Sequence, residues 1–266
     1  MSSLQLFNRQ ITDPRTQDYL QTVLGSKKNS FVNNLTALVA NNVQLQACDP
    51  MTVMYAAIKA TALDLPLDPN LGYAYVIPYK NNRTNPPTTD AQFQIGFKGF
   101  IQLAMRSGQF KTINVRDVKE GEIIGEDFIS GENQYKRISE NRESAKTIGF
   151  VAYFELVNGF RKSLYMSTDE INVHAEKYSK TFKSNNSTWK TEFEAMAEKT
   201  VLKRLLSKYA PMSVEMQMAT KYDQGIIRDN DDIEYVDNPQ NEINIEDNQK
   251  ATELFADALE IKEEIE

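Results

Sequence analysis

The chemistry this chain can offer is concentrated in its cations. Between Lys177 and Lys208 stand eight bases (Lys177, Lys180, Lys183, Lys190, Lys199, Lys203, Arg204, Lys208) against three acids, Glu192, Glu194 and Glu198. On a helix, Lys199 and Lys203 share a face at i,i+4, and Arg204 and Lys208 form the neighbouring row. Trp189, the only tryptophan, precedes these rows. A second group, Lys98, Arg106, Lys111, Arg116 and Lys119, spreads over a strand, a helix and the next strand. Bases neutralise phosphates and aromatic faces stack on nucleobases, so this interleaving points to nucleic acid. Each feature also has a plainer reading. Charged stretches are usually solvated faces, Arg106 falls where a helix dipole favours a cation, and tryptophan more often anchors a core.

Enzymatic chemistry is poorly supplied. One cysteine (Cys48) and one histidine (His174) leave no disulfide framework, no cysteine-based zinc site and no two-histidine metal site. There is no phosphate-cradling Gly-x-x-x-x-Gly-Lys-Ser/Thr loop, no Gly-x-Gly-x-x-Gly after a strand and no Gly-x-Ser-x-Gly elbow. His174, between Val173 and Ala175, reads as a packing or capping residue. Asp117-x-Lys119, with Asp90 upstream, is a faint metal-nuclease pattern and stays open as an alternative. Asp229, Asp231, Asp232 and Glu234 lack the glycine turn and closing glutamate of a calcium loop. No catalytic residue, metal or cofactor is expected.

The net charge of −7 hides a division. Residues Met1 to Tyr222 carry 27 bases and 22 acids; Asp223 to Glu266 carry 3 and 15. A basic body with an acidic tail suggests a body that meets a polyanion and a tail that meets something else. No apolar run reaches the roughly 18 residues of a membrane span. The opening Met1-Ser2-Ser3-Leu4-Gln5 lacks the basic-then-apolar pattern of a secretory signal, so a cytoplasmic protein is expected.

The elements that must position these cations can be read from periodicity. Leu35, Leu38 and Val39 recur at helical spacing. Asp49-Pro50 is an N-cap with proline at the first helical position, opening a helix through Leu63. Leu65 to Gly72, with two prolines and a glycine, makes a tight connection. Tyr73 to Tyr79 and Ala91 to Phe97 read as strands joined by an exposed loop over Lys80 to Asp90, and Pro78 argues for a sheet edge. Gly99 to Arg106 reads as a helix stopped by Ser107-Gly108. Phe110 to Lys119, Ile148 to Leu156 and Arg161 to Met166 read as strands, the last two joined at Asn158-Gly159. Ser167 and Glu170 form a capping box for a helix through Lys177. A long helix from Thr188 to Tyr209 buries Phe193, Ala197, Val201 and Leu205. Asp223 to Gln249 reads as a linker, and Ala251 to Ile261 as a short amphipathic helix suited to docking. The class expected is α+β, with a small antiparallel sheet and segregated helices forming a groove.

Three motifs then carry a resemblance. Gly96-Phe97-Lys98-Gly99-Phe100-Ile101-Gln102-Leu103-Ala104-Met105-Arg106-Ser107-Gly108 resembles the Gly-aromatic-Lys/Arg-Gly…Leu-Ala…Arg-Ser-Gly signature of RecT-type phage single-strand annealing proteins. Leu65-Pro66-Leu67-Asp68-Pro69 is similar to the family's Leu-x-Leu-Asp-Pro turn, and Met196-Ala197-Glu198-Lys199-Thr200-Val201-Leu202-Lys203-Arg204 to its Met-Ala-x-Lys-Thr-Val-Leu-Lys-Arg helix. The resemblance implies a recombination protein that binds single-stranded DNA, pairs it without ATP and holds the annealed duplex in a groove of a homo-oligomer, ring or helical filament. It implies a partner exonuclease and a host single-strand-binding protein. Lys98, Arg106, Lys199, Lys203 and Arg204 carry over as DNA-binding candidates, as does Trp189. Arg116 and Lys119 follow from a shorter match, and Lys111, Lys177 and Lys190 join from their basic stretches. On this reading residues 1–222 bind DNA and oligomerise, while residues 223–266 dock a partner. A passive single-strand-binding protein, a nuclease and a phage assembly protein remain the alternatives.

Overall fold

The computed structural model of the chain describes residues 2–82, 85–138, 140–179, 182–185, 187–228 and 233–234. Its helices are α1 (Ser3–Ile11), α2 (Pro14–Leu24), α3 (Lys28–Ala40), α4 (Val43–Gln46), α5 (Pro50–Ala62), α6 (Phe97–Arg106), α7 (Thr168–Tyr178), α8 (Thr188–Thr191), α9 (Phe193–Tyr209) and α10 (Val214–Tyr222). Its strands are β1 (Ala74–Asn81), β2 (Thr88–Ile95), β3 (Phe110–Lys119), β4 (Ile123–Asp127), β5 (Glu132–Tyr135), β6 (Thr147–Leu156), β7 (Arg161–Ser167), β8 (Gly225–Ile227) and β9 (Ile233–Glu234). The α+β class is borne out. The described strands form three antiparallel sheets rather than one: β1-β2-β8-β9, β3-β6-β7 and the hairpin β4-β5.

Helix α5 is the axle. Asp49 caps it, its Oδ1 accepting from Met51 N at 2.8 Å, and its run of small and apolar residues is buried on more than one side. One side (Val53, Met54, Ala57, Ile58) packs with Phe7, Ile11, Leu20, Phe31, Leu35 and Val39 of α1 to α3. The other (Ala56, Ala60) joins a larger core with Phe93 and Ile95 of β2, Phe100 and Leu103 of α6, Phe150 and Phe154 of β6, and Val201 and Leu205 of α9. Pro78 lies on β1, a sheet edge, where its missing N–H breaks no ladder. The capping box at Ser167 and Glu170 forms as expected.

Four features depart from the sequence reading. The helix expected over Thr188 to Tyr209 is broken at Glu192, whose φ of −136° and ψ of 49° are not helical. The break turns the short α8 so that Trp189 enters the core. The loop expected over Lys80 to Asp90 is shorter, because Lys80, Asn81 and Thr88 to Asp90 extend the strands. The hairpin β4-β5 has no counterpart in the sequence reading. The body also does not end at Tyr222: β8 pairs with β2 between the two halves of its sheet, and Asp223 is buried. The expected helix at Ala251 to Ile261 lies outside the described residues. Among the described residues no helix is long and apolar enough to cross a membrane.

Candidate nucleic-acid interface

The glycines of Gly96-Phe97-Lys98-Gly99 let the chain cross the start of α6. A Cβ on Gly96 would stand 2.1 Å from Gly72 O, and one on Gly99 2.1 Å from Tyr73 O. Gly96 N donates to Tyr73 O at 2.8 Å. Because the N-cap is Gly96, no side chain caps the first-turn amides of α6. Lys98 is exposed beside them. Free amides at a helix start and an adjacent cation suit a phosphate.

Two helical turns on, Arg106 does other work. Its Nη1 donates to Leu63 O and its Nη2 to Asp64 O, both at 2.7 Å, and Nη2 pairs with the Asp64 carboxylate at 3.2 Å. It therefore ties the end of α5, and the Leu65-Pro66-Leu67 turn that follows, to the end of α6. The arginine is a fork used bidentately on backbone carbonyls, and most of its donors are spent on the fold.

The Lys199 and Lys203 row meets an unforeseen partner. Lys203 Nζ pairs with Asp223 Oδ2, and the other oxygen of this fully buried carboxylate accepts from Ile95 N at 2.8 Å. Burial alone would raise the Asp223 pKa; Lys203 and Lys199 outweigh it and hold the carboxyl below its usual range. Burial lowers the Lys199 pKa, with Asp223 opposing. Lys203 and Lys199 thus surround a buried anion, an arrangement that the sequence reading did not foresee. The same bonds bring the motifs together: Lys98 follows Ile95 by three residues, so it lies within about 11 Å of the residue that Asp223 holds. The phosphate-ready start of α6 and the basic helix α9 share one neighbourhood.

Helices α7 and α9 both contribute to the larger core, through Ile171 and Ala175 of α7 and Val201 and Leu205 of α9. His174 of α7 is half-buried, its ring 4.6 Å from that of Tyr178. Burial, then Arg204, Lys203 and Lys177 in that order, push its pKa down from 6.5 to about 4. Three cations from two helices therefore disfavour the charged form of one imidazole. Arg204 is exposed, as is Lys177, whose Nζ lies 5.1 Å from the Tyr178 ring centre. Lys190 is exposed and donates to Asn185 Oδ1 at 3.1 Å.

The remaining candidates divide. Arg116 is exposed on β3. Lys111 pairs with Glu155 at 2.7 Å while staying largely in solvent. Lys119 is nearly buried, held by Thr147 Oγ1 at 2.8 Å and Asp117 at 3.1 Å. Trp189 is only 6% exposed and packs its ring against Phe182 and Phe193. Its ring belongs to the larger core, the plainer of the two readings the sequence allowed.

The nuclease pattern dissolves into ion pairs. Burial would raise the Asp117 pKa, but hydrogen bonds from Arg142 and Lys119 hold it low. Asp90 belongs to the other sheet, bound by Arg228 at 2.7 Å and Asn81 at 3.0 Å. Among the described residues no group of three or more His, Cys, Asp or Glu side chains could hold a metal ion.

Comparison with known proteins bears on this arrangement. The model of the RecT family matches residues 29–240. The uncharacterized protein YqaK of Bacillus subtilis is 42% identical over 209 residues, 79% of this chain and 69% of that protein. Protein RecT of Escherichia coli is 34% identical over 177 residues, 66% of this chain and 64% of that protein.

Proposed function

This chain belongs to the RecT family, and from that premise we propose that it anneals complementary single strands of DNA during recombination without ATP. The observation that carries the reading is the exposure of Lys98 beside the uncapped start of α6, together with that of Lys177, Lys190 and Arg204.

Annealing requires that two polyanions approach while their base edges stay free. Cations along one face remove phosphate repulsion. Contacts to phosphate and sugar carry no sequence information, which suits a protein that must pair any sequence. Lys98, Arg116, Lys177, Lys190 and Arg204 are the exposed candidates for those contacts. Lys111, half-engaged by Glu155, is a weaker one. Arg106, Lys119, Lys199, Lys203 and Trp189 support them by holding the elements in place. Base pairing supplies the driving force, so no nucleotide site is needed. A single copy offers few contacts, so copies arrayed as a ring or filament would supply affinity through multivalency. The segment after Glu234, with ten acids and two bases, would dock a partner, an exonuclease or a host single-strand-binding protein, and not DNA.

The test is annealing of complementary oligonucleotides by the full chain with no nucleotide present. Wild type is expected to accelerate pairing, and the double substitution Lys98→Ala with Arg204→Ala to lose most of that acceleration while keeping its thermal midpoint. Strand protection with no acceleration would instead make it a passive binder.

A further inference from the structure

The hairpin β4-β5 ends in the most exposed apolar pair among the described residues. Phe128 is 97% exposed and Ile129 96%. Scattered surface hydrophobics are ordinary, but two adjacent, almost fully exposed ones at one hairpin turn are not. The tip is built to hold its shape. Asp127 Oδ1 accepts from Ile129 N at 3.0 Å and Ser130 N at 2.8 Å, and Gly131 supplies the left-handed residue that closes the turn. Lys162 of β7 moors the turn, donating to Ser130 O at 2.7 Å. At the base, Glu122 is clamped by Arg142 and by Lys119 N. A pair of large apolar side chains presented on so fixed a turn costs little ordering when covered.

What covers it follows from charge. Residues 120–135 hold five acids (Glu120, Glu122, Glu126, Asp127, Glu132) and no base. The rest of the basic body, residues 1–119 and 136–222, holds 27 bases and 17 acids. The exposed carboxylates of Glu126 and Asp127 at the tip repel phosphates, so a wedge into DNA is disfavoured. They also repel a second tip, so a symmetric tip-to-tip contact is disfavoured. We propose that this hairpin is the hook by which one copy of the chain holds the next, Phe128 and Ile129 being covered by the basic body of a second copy. Hook and acceptor are then different surfaces, and such a head-to-tail contact propagates into rings or filaments rather than stopping at a dimer. The inference rests on the oligomer of the preceding section and not on annealing.

The experiment replaces Phe128 by the photo-crosslinker p-benzoylphenylalanine in the full chain and irradiates it with and without labelled single-stranded DNA. A ladder of protein–protein adducts is expected. Adducts to DNA alone, or no protein adducts, would overturn the proposal. In parallel, Phe128→Ser with Ile129→Ser is expected to weaken self-association in sedimentation velocity by at least about tenfold, with the thermal midpoint unchanged. An unchanged assembly would overturn it as well. If the p-benzoylphenylalanine variant forms the ladder while wild type fails to anneal, the annealing reading falls and the hook stands.

Discussion

Two residues report on the interface because each is the only one of its kind. Trp189 sits among Phe182 and Phe193, so its fluorescence is expected to be blue-shifted and unchanged by saturating single-stranded DNA. Strong quenching would return it to the role the sequence suggested. His174 senses the cations of α7 and α9. Its imidazole resonances are expected to titrate near pH 4 in the free protein, and to titrate higher once phosphates neutralise Arg204 and Lys177. The depressed value also sets a stability window. The unfolded chain takes up a proton near pH 6.5 that the fold refuses until about pH 4. The contribution is therefore full above pH 6.5 and lost as pH falls toward 4, at most about 3 kcal/mol. A His174→Gln variant is expected to flatten the acid limb of a thermal-midpoint profile between those values. Neither role was legible in sequence: a tryptophan before a basic helix looks the same whether it turns in or out, and the helix break at Glu192 decides it.

At the scale of elements, much of the fold was written in local chemistry. The cap at Asp49-Pro50, the box at Ser167 and Glu170, the turn at Asn158-Gly159 and the proline on the edge strand all act through neighbours a few residues away, and all stand where the sequence puts them. What escaped was long-range. Asp223 looked like the first residue of an acidic linker because nothing near it shows that Ile95 and Lys203 converge on it. The hairpin β4-β5 escaped because Glu132-Asn133-Gln134-Tyr135 lacks the β-branched alternation that marks a strand. The tie at Asp223 has a direct test. Lys203→Ala leaves a buried carboxylate short of its closest cation, and is expected to cost about 2–4 kcal/mol, lowering the thermal midpoint by roughly 10 °C. Lys203→Ala with Asp223→Asn is expected to recover much of that loss. If Lys203→Ala instead leaves the midpoint unmoved and reduces only DNA affinity, Lys203 is a contact residue.

For the whole molecule, the family motifs divide into scaffold and surface. Gly96, Gly99, Arg106, Lys199 and Lys203 hold α5, α6, α9 and the β2-β8 pair in register; Lys98 and Arg204 face outward from the same elements. Motif residues that look equally basic in sequence thus differ in what they hold, and only the fold separates them. This division is the central claim, and the salt dependence of single-strand affinity tests it most directly. If a copy neutralises about four phosphates, log affinity against log salt should fall with a slope near −3, since each contact contributes about −0.7 on single strands. Arg204→Ala and Lys98→Ala are each expected to make that slope shallower by about 0.7, on every sequence alike and with unchanged thermal midpoints. A slope that neither substitution alters, or a loss confined to one sequence, would contradict the account.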